Sequence, residues 1–268
     1  MTTPRSYQTE AIVIRKTKLG EADTILTLYT PQLGKIQGFA KSLRKTRSKM
    51  AGHLELITHS TVTLARGRNL DTITGSQTIE SFIGIKNDLW LTSCALYVLE
   101  LVHQFTAENI ENYPLFQLLQ DTLQELSRGN NKELLLRYFE LHLLEKVGYR
   151  PQLRECVSCH RPVGPVTNYF SIGAGGVLCP ECPAPPSPAY PLSVNAQKVL
   201  RLLQNSDTAV IDRLKLDEGL EQELERAIAA YLKFLLEKDV KSADWLRNLK
   251  SQRLSLKSTA LPPPEDSL

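Results

Sequence analysis

The sequence predicts an α+β chain of more than one domain: a small five-stranded β-barrel, then an all-α domain with a short insert defined by cysteines. Three observations predict it. Short apolar or β-branched runs separated by turn residues fill residues 7–83. The period lengthens to that of a helix from Asp88 onward. Four of the five cysteines fall between Cys156 and Cys182. The expected boundaries are 1–83 for the barrel and 84–250 for the helical domain, with the insert at about 154–185. Residues 251–268 read as a disordered tail, because Pro262-Pro-Pro264 and their neighbours carry no periodicity.

The barrel strands follow in order. Glu10-Ala-Ile-Val-Ile-Arg15 is the first apolar run, and a turn at Gly20-Glu21 leads to Thr24–Tyr29. Pro31 and Gly34 mark the next turn, before Lys35–Ala40. In the fourth run, Leu54, Leu56, Val62 and Leu64 are expected to share one face. The fifth, Thr72–Phe82, has Ile73 and Ile79 on one side. Five strands of this length suit an OB-type Greek-key barrel, a fold that commonly binds oligonucleotides. SH3-like barrels also have five strands, so the count alone leaves both open.

The helical domain opens with Leu89–Phe105, apolar nearly all round as a buried central helix is. Cys94 inside it reads as a small core residue, and His103 and His142 as structural helical histidines. A second helix is expected from Tyr113 to Ser127, with Pro114 in its first turn and Gly129 at its stop. A third runs from Asn131 to Val147. A proline-rich connector, Pro183–Pro191, follows the insert. Ser193 caps a helix from Val194 to Leu203. The stripe Leu220, Leu224, Ile228, Tyr231 and Leu235 marks a long helix over Asp217–Glu237, and a short turn is expected at Asp244–Leu249.

Charge is distributed as unevenly as the cysteines. The net charge is +3, yet residues 1–80 carry 12 Lys/Arg against 6 Asp/Glu. Residues 81–155 carry 7 against 10, and residues 156–268 carry 13 of each. The basic excess centres on Lys41-Ser-Leu-Arg-Lys-Thr-Arg-Ser-Lys49, where Lys41, Arg44, Lys45, Arg47 and Lys49 occupy an expected mobile loop. Arg15, Lys16 and Lys18 end the first strand, Lys35 opens the third, and Arg66 and Arg68 flank the last turn. Brought together, these residues would neutralise phosphates and release counterions, and the arginines would add bidentate contacts. On charge alone a merely solvating loop stays open as well. Tyr7, Tyr29 and Phe39 could stack bases, although each also suits the core of a small barrel.

Cys156-Val-Ser-Cys159 and Cys179-Pro-Glu-Cys182 are two C-x2-C pairs separated by 19 residues, the spacing of a four-cysteine zinc site. Two thiolates on each tight knuckle can face one ion, and two knuckles complete a tetrahedron. Four thiolates leave no open position, so the ion would be structural. Iron also suits four sulfurs. Disulfides fit less well, because residues 1–6 lack an apolar signal core and the expected compartment is the reducing cytoplasm. No run approaches the ~20 apolar residues of a membrane span.

Catalytic patterns are missing. Gly34-Lys35 comes nearest to a P-loop, but Tyr29 stands at the first glycine position and Ile36 at the hydroxyl position. His53-Leu54-Glu55 matches half of a zinc-deaminase signature, but Leu178 stands where proline is required. The chain reads as a non-enzyme.

Several segments resemble the bacterial RecO family of recombination mediators, over roughly residues 7–250. Tyr7–Arg15 is similar to its first strand, and Leu19-Gly-Glu-Ala-Asp-Thr-Ile-Leu-Thr-Leu-Tyr-Thr30 to its turn and second strand. Gly34-Lys35 with Ala40–Lys49 resembles its basic third-strand end. Leu144-Glu-Lys-Val-Gly-Tyr-Arg-Pro151 and the two knuckles resemble its passage from helix to zinc. The resemblance implies an OB domain and a helical domain with a zinc insert, acting in DNA repair in the bacterial cytoplasm, in association with the nucleoid. It implies binding of single- and double-stranded DNA and annealing of complementary strands. Its implied partners are RecR and single-stranded DNA-binding protein, with RecA loaded onto DNA that the latter coats. Alternatives from other classes are a zinc-ribbon RNA-binding or transcription-associated factor, and a protein-interaction scaffold.

Overall fold

A computed structural model of the protein describes residues 5–129, 131–183 and 187–259. Five strands, β1 (Ser6–Leu19), β2 (Asp23–Thr30), β3 (Gly34–Ala40), β4 (His59–Ala65) and β5 (Asp71–Glu80), close in the order β1-β2-β3-β5-β4. β3 and β5 pair in parallel and the other neighbours antiparallel, giving an OB-type barrel. β1 is apolar on both faces for a reason. Ala11 and Val13 line the barrel interior with Leu26, Leu28, Val62 and Leu64. Ile12 and Ile14 point the other way, into the core of the helical part.

The fourth strand starts five residues later than the sequence suggests. Leu54 is buried in a 3-10 turn, Gly52–Leu54, not on the strand. Ile57, in the left-handed region at φ 68, breaks the extended run, and its N–H donates to Val13. Leu54, Val62 and Leu64 still reach the same core, while Leu56 is only partly buried. Ile79 is exposed although Ile73 is buried. Register shifts in the β4–β5 pairing fall at both ends of the stretch between them, and each changes the face that follows.

The helices are α1 (Ile83–Lys86), α2 (Leu89–Phe105), α3 (Tyr113–Arg128) and α4 (Lys132–Lys146), then α5 (Val194–Asn205), α6 (Glu218–Leu236) and α7 (Lys241–Thr259). Asp88, Asn112, Asn131, Ser193 and Asp217 accept from backbone N–H groups as N-caps of α2, α3, α4, α5 and α6. Cys94 is fully buried in α2, and burial pushes its thiol up to about 12. Between α4 and α5, strands β6 (Asn168–Ser171), β7 (Gly176–Leu178) and β8 (Ala189–Leu192) form a small sheet ordered β7-β6-β8. The proline-rich connector therefore ends in a strand. Pro191 is tolerated because β8 lies at the sheet edge, and residues 184–186 lie outside the described part.

The C-terminal expectation also needs correcting. In place of a turn and a disordered segment, α7 runs from Lys241 to Thr259. Leu246 packs it into the helical core, with Ala243 and Leu249 beside it, and polar contacts add to that hold. Glu100 accepts from the Lys241 and Ser242 amides, Trp245 Nε1 donates to Ser93, and Arg253 lies over the Trp90 ring. Pro262–Pro264 lie outside the described residues.

The barrel and helices share one packed seam. Tyr29 stacks against Phe116 of α3 with ring centroids 6.5 Å apart, and His59 meets Phe116 edge-on. Gly34, at φ +63, lies so close to the α2–α3 connection that an added Cβ would fall 1.9 Å from the Ile110 carbonyl oxygen.

Candidate nucleic-acid interface and metal centre

The end of β3 gathers three loops. Its partner on one side is the start of β2, through Thr24 against Ala40. On the other side is the start of β5, through Gly38 against Asp71 and Phe39 against Thr72. The β1–β2 turn at Gly20–Ala22, the basic segment after Ala40 and the β4–β5 turn at Arg66–Leu70 therefore surround one strand end.

The basic segment is anchored there. Leu43, its one large apolar residue, is buried in the barrel core. Ser42 N–H donates to Asp23 at 2.6 Å, Arg44 N–H to the Ala22 carbonyl at 3.0 Å, and the Arg44 guanidinium to Gly20. Successive turns hold Lys45 on Ser42 and Ser48 on Lys45. Lys41, Arg44, Lys45, Arg47 and Lys49 are left exposed around this anchor. Alternation between Leu43 and its basic neighbours was the available sequence signal for the anchor.

Arg66 and Arg68 are exposed in the β4–β5 turn. Arg66 lies 4.9 Å from the centre of the Tyr7 ring, and Tyr7 donates to Asp71 at 2.7 Å. Burial, reinforced by Asp71, pushes the Tyr7 hydroxyl up to about 12. Lys18 immediately precedes Leu19 and the β1–β2 turn. Lys16 shares its surroundings with Glu55 and Lys86; desolvation lowers its amine although Glu55 opposes that. Arg15 leaves this group and reaches His103 on α2 at 2.9 Å.

Lys35 does not belong to the phosphate-facing set suggested by sequence. It is buried at the opposite end of β3, and its ammonium donates to the carbonyls of His103 and Thr106. Burial lowers its pKa. Of the three aromatic candidates, Tyr29 is fully buried in the seam and Tyr7 lies beneath Arg66. Phe39 alone of the three sits half-buried on the outer face at the gathered end of β3, flanked by Ile25 and Thr72.

The second site is built from Cys156, Cys159, Cys179 and Cys182. Their four sulfurs lie within 4.8 Å of one another. Cys156–Cys182 is 3.7 Å, Cys159–Cys179 is 3.8 Å and Cys179–Cys182 is 3.5 Å. A tetrahedral ion with metal–sulfur bonds of about 2.3 Å requires sulfurs about 3.8 Å apart, so the cluster fits one metal ion. These separations are far beyond a sulfur–sulfur bond of about 2.05 Å, and all four cysteines are free.

The backbone builds both knuckles. Cys156 N–H donates to Arg161, His160 N–H to Cys156, and Cys182 N–H to Cys179. His160 takes φ 59 to turn the first knuckle and is not one of the four ligands. Burial disfavours the Cys156 thiolate, but amides of Cys159, Cys179 and Ser158 outweigh it and bring its pKa down to about 6. Arg161 joins the knuckles, donating to Cys159 at 3.4 Å and to Glu181 at 2.6 Å. The sheet behind them rests on α6, where Phe170 meets Tyr231 edge-on. An added Cβ on Gly175, at φ +66, would lie 2.8 Å from the Tyr231 hydroxyl.

No helix among the described residues is long and apolar enough to cross a membrane. Residues 1–82 match the model for the Recombination protein O N terminal domain, and residues 86–244 that for its C terminal domain. The chain is 52% identical to a DNA repair protein RecO of Dehalococcoides mccartyi strain 195, over 95% of this chain and 100% of that one. It is 41% identical to the protein of that name from Roseiflexus sp. strain RS-1, over 92% and 87% of the two chains. With that of Desulforamulus reducens the identity is 32%, over 92% and 96%. Two family models that meet near the barrel–helix seam, and relatives matched along nearly their whole length, place the chain in the RecO family of DNA repair proteins.

Proposed function

We propose that the chain is a non-catalytic recombination mediator that binds single- and double-stranded DNA and anneals complementary strands. In this reading it acts in the bacterial cytoplasm at the nucleoid with RecR and single-stranded DNA-binding protein, and helps RecA onto DNA that the latter coats. The observation that carries the reading is the convergence of three loops at the end of β3. Lys18, Lys41, Arg44, Lys45, Arg47, Lys49, Arg66 and Arg68 crowd that end, and Phe39 offers a ring face among them. Cations along a barrel end with a partly exposed aromatic are the elements of sequence-tolerant single-strand binding. Phosphate contacts of this kind position a strand without reading its bases. Cys156, Cys159, Cys179 and Cys182 hold one zinc ion, whose four thiolates make it a structural support.

Annealing of complementary strands coated with single-stranded DNA-binding protein tests the reading. Acceleration by the wild-type chain, lost on neutralising Arg44, Lys45 and Arg47 together, supports it. An unchanged affinity and salt slope in that triple variant would remove the loop from the interface. Preference for RNA over DNA of the same sequence would favour the transcription-associated alternative.

A further inference from the structure

Three basic or titratable groups meet where the barrel abuts the end of α2, and a fourth lies near enough to act on them electrostatically. Arg15 comes from β1, Lys35 from β3, His103 from the last turns of α2 and Lys238 from the turn after α6. Arg15, Lys35 and Lys238 all act electrostatically on His103. Two carboxylates lie within reach, and both are engaged. Glu100 accepts from the Lys241 and Ser242 amides and the Ser242 hydroxyl, and Glu108 accepts from Gln37. Lys35 already satisfies the carbonyls at the α2 C-terminus, so Arg15 and Lys238, both exposed, are surplus to what that helix end requires.

Arg15 also fixes the state of His103. Its Nη1 lies 2.9 Å from Nε2. A guanidinium only donates, so Nε2 is bare, the ring is neutral and its proton sits on Nδ1. Nδ1 is buried and has no hydrogen-bond partner among the described residues. An arginine and a neutral imidazole held together suit an oxyanion: the anion accepts from Arg15, and its charge allows Nε2 to take up a proton and donate as well.

The junction lies on a route from the barrel end. Thr17, Ile25 and Phe39 form one cross-strand row of the outer face, and Arg15, Thr27 and Gln37 form the next row toward α2. We propose that Arg15, His103 and Lys238 form a phosphate-binding station that carries a nucleic-acid backbone from the barrel across the seam onto the helical part. The station rests on the reading of the barrel end as a nucleic-acid interface. It adds a second body to that interface, and a coupling of binding to protonation. Burial, followed by Lys35, Arg15 and Lys238, holds free His103 below its ordinary pKa, with Glu100 opposing. A phosphate in the station offsets part of that positive field and raises the pKa of His103, so a fraction of a proton enters with the strand.

The test is the affinity of the full chain for oligothymidylate of about 25 nucleotides, measured against salt and pH. R15Q and K238Q should each reduce the slope of log affinity against log salt by about 0.7, as one lost single-strand phosphate contact does. Wild-type affinity should rise roughly threefold to tenfold between about pH 8 and about pH 6, and H103Q should lose that rise. Lys238 is exposed, so K238Q keeps the test valid should R15Q disturb the seam. Unchanged slopes in R15Q and K238Q, or a persistent pH dependence in H103Q, would overturn the station. If the triple variant of Arg44, Lys45 and Arg47 still loses slope in that case, the barrel reading stands without it. If the triple variant is unchanged too, the barrel reading fails first.

Discussion

The ammonium of Lys35 sits 2.7 Å from the backbone carbonyl oxygen of His103, joining the third barrel strand to the end of the central helix. A cation at a helix C-terminus satisfies carbonyls that have no intrahelical partner and faces the negative end of the dipole. In the chain, Lys35 and His103 are 68 residues apart. Lys35 therefore belongs to the seam. Lys35→Met should lower unfolding stability by about 2 kcal/mol, because buried carbonyls lose a charged donor. The slope of DNA affinity against salt should stay unchanged. Urea unfolding and a salt titration separate the two, and a reduced slope would return Lys35 to the phosphate-facing set.

Arg137 and Glu140 form a buried pair on α4, with Tyr97 of α2 donating to Glu140 at 2.6 Å and Glu225 of α6 lying 3.8 Å from Arg137. Glu140 is fully buried. Removing one partner leaves a buried charge uncompensated, which typically costs 3–5 kcal/mol, roughly. Arg137→Met should show a loss of that order in urea unfolding. The double variant Arg137→Met with Glu140→Leu should recover part of it, since an apolar pair avoids the desolvation penalty. A double variant as unstable as the single one would show that the pair specifies the packing of α2, α4 and α6 in some further way.

Acid should weaken the fold through its histidines. Burial lowers the pKa of His59, His103 and His142. An unfolded imidazole titrates near about 6.5. Below that pH the unfolded chain binds more protons than the folded one, so stability falls as pH falls, until the folded pKa values are reached. His142 Nε2 donates to the Leu203 carbonyl at 3.0 Å, so Nε2 carries the proton. His142→Gln can keep that bond without titrating. Its melting temperature should fall less than that of the wild type between about pH 7 and about pH 5. Parallel curves would remove His142 from the acid response.

Much of this arrangement was legible in the sequence, and the gaps have physical causes. The five barrel strands and helices α2 to α6 follow the patterning of apolar residues, and N-caps such as Ser193 and Asp217 lie where their side chains serve. The cysteine pairs are local signals whose geometry follows from spacing, and all four sulfurs gather. Lys35 was misread because charge in a sequence carries no direction. Its partners are backbone carbonyls of another element, which leave no side-chain signature. The helix α7 was missed because its apolar face is short, Ala243, Leu246 and Leu249, and the rest of its attachment is made by single polar contacts to Ser93, Glu100 and Glu225. Ile79 was misplaced because register shifts break period two without changing composition.

The metal centre can be separated from the barrel by removing its ligands. Cys156 is fully buried, and its sulfur accepts from the Cys179 amide at 3.4 Å, so it ties one knuckle to the other. Cys156→Ser should abolish stoichiometric metal binding, measured by metal analysis of the purified chain. Loss of a structural ion removes the cross-link between the knuckles, so proteolysis within residues 156–182 should accelerate. The β6–β7 hairpin should loosen with it, because Val157 N–H donates to Val177 and Val177 N–H donates to Gln152. The barrel core is a separate cluster of its own residues, so the affinity of the variant for single-stranded DNA should stay within about twofold of wild type, a difference of about 0.4 kcal/mol. A larger loss would mean that the knuckles contact the strand themselves, and Arg161, exposed between them, would be the first residue to substitute.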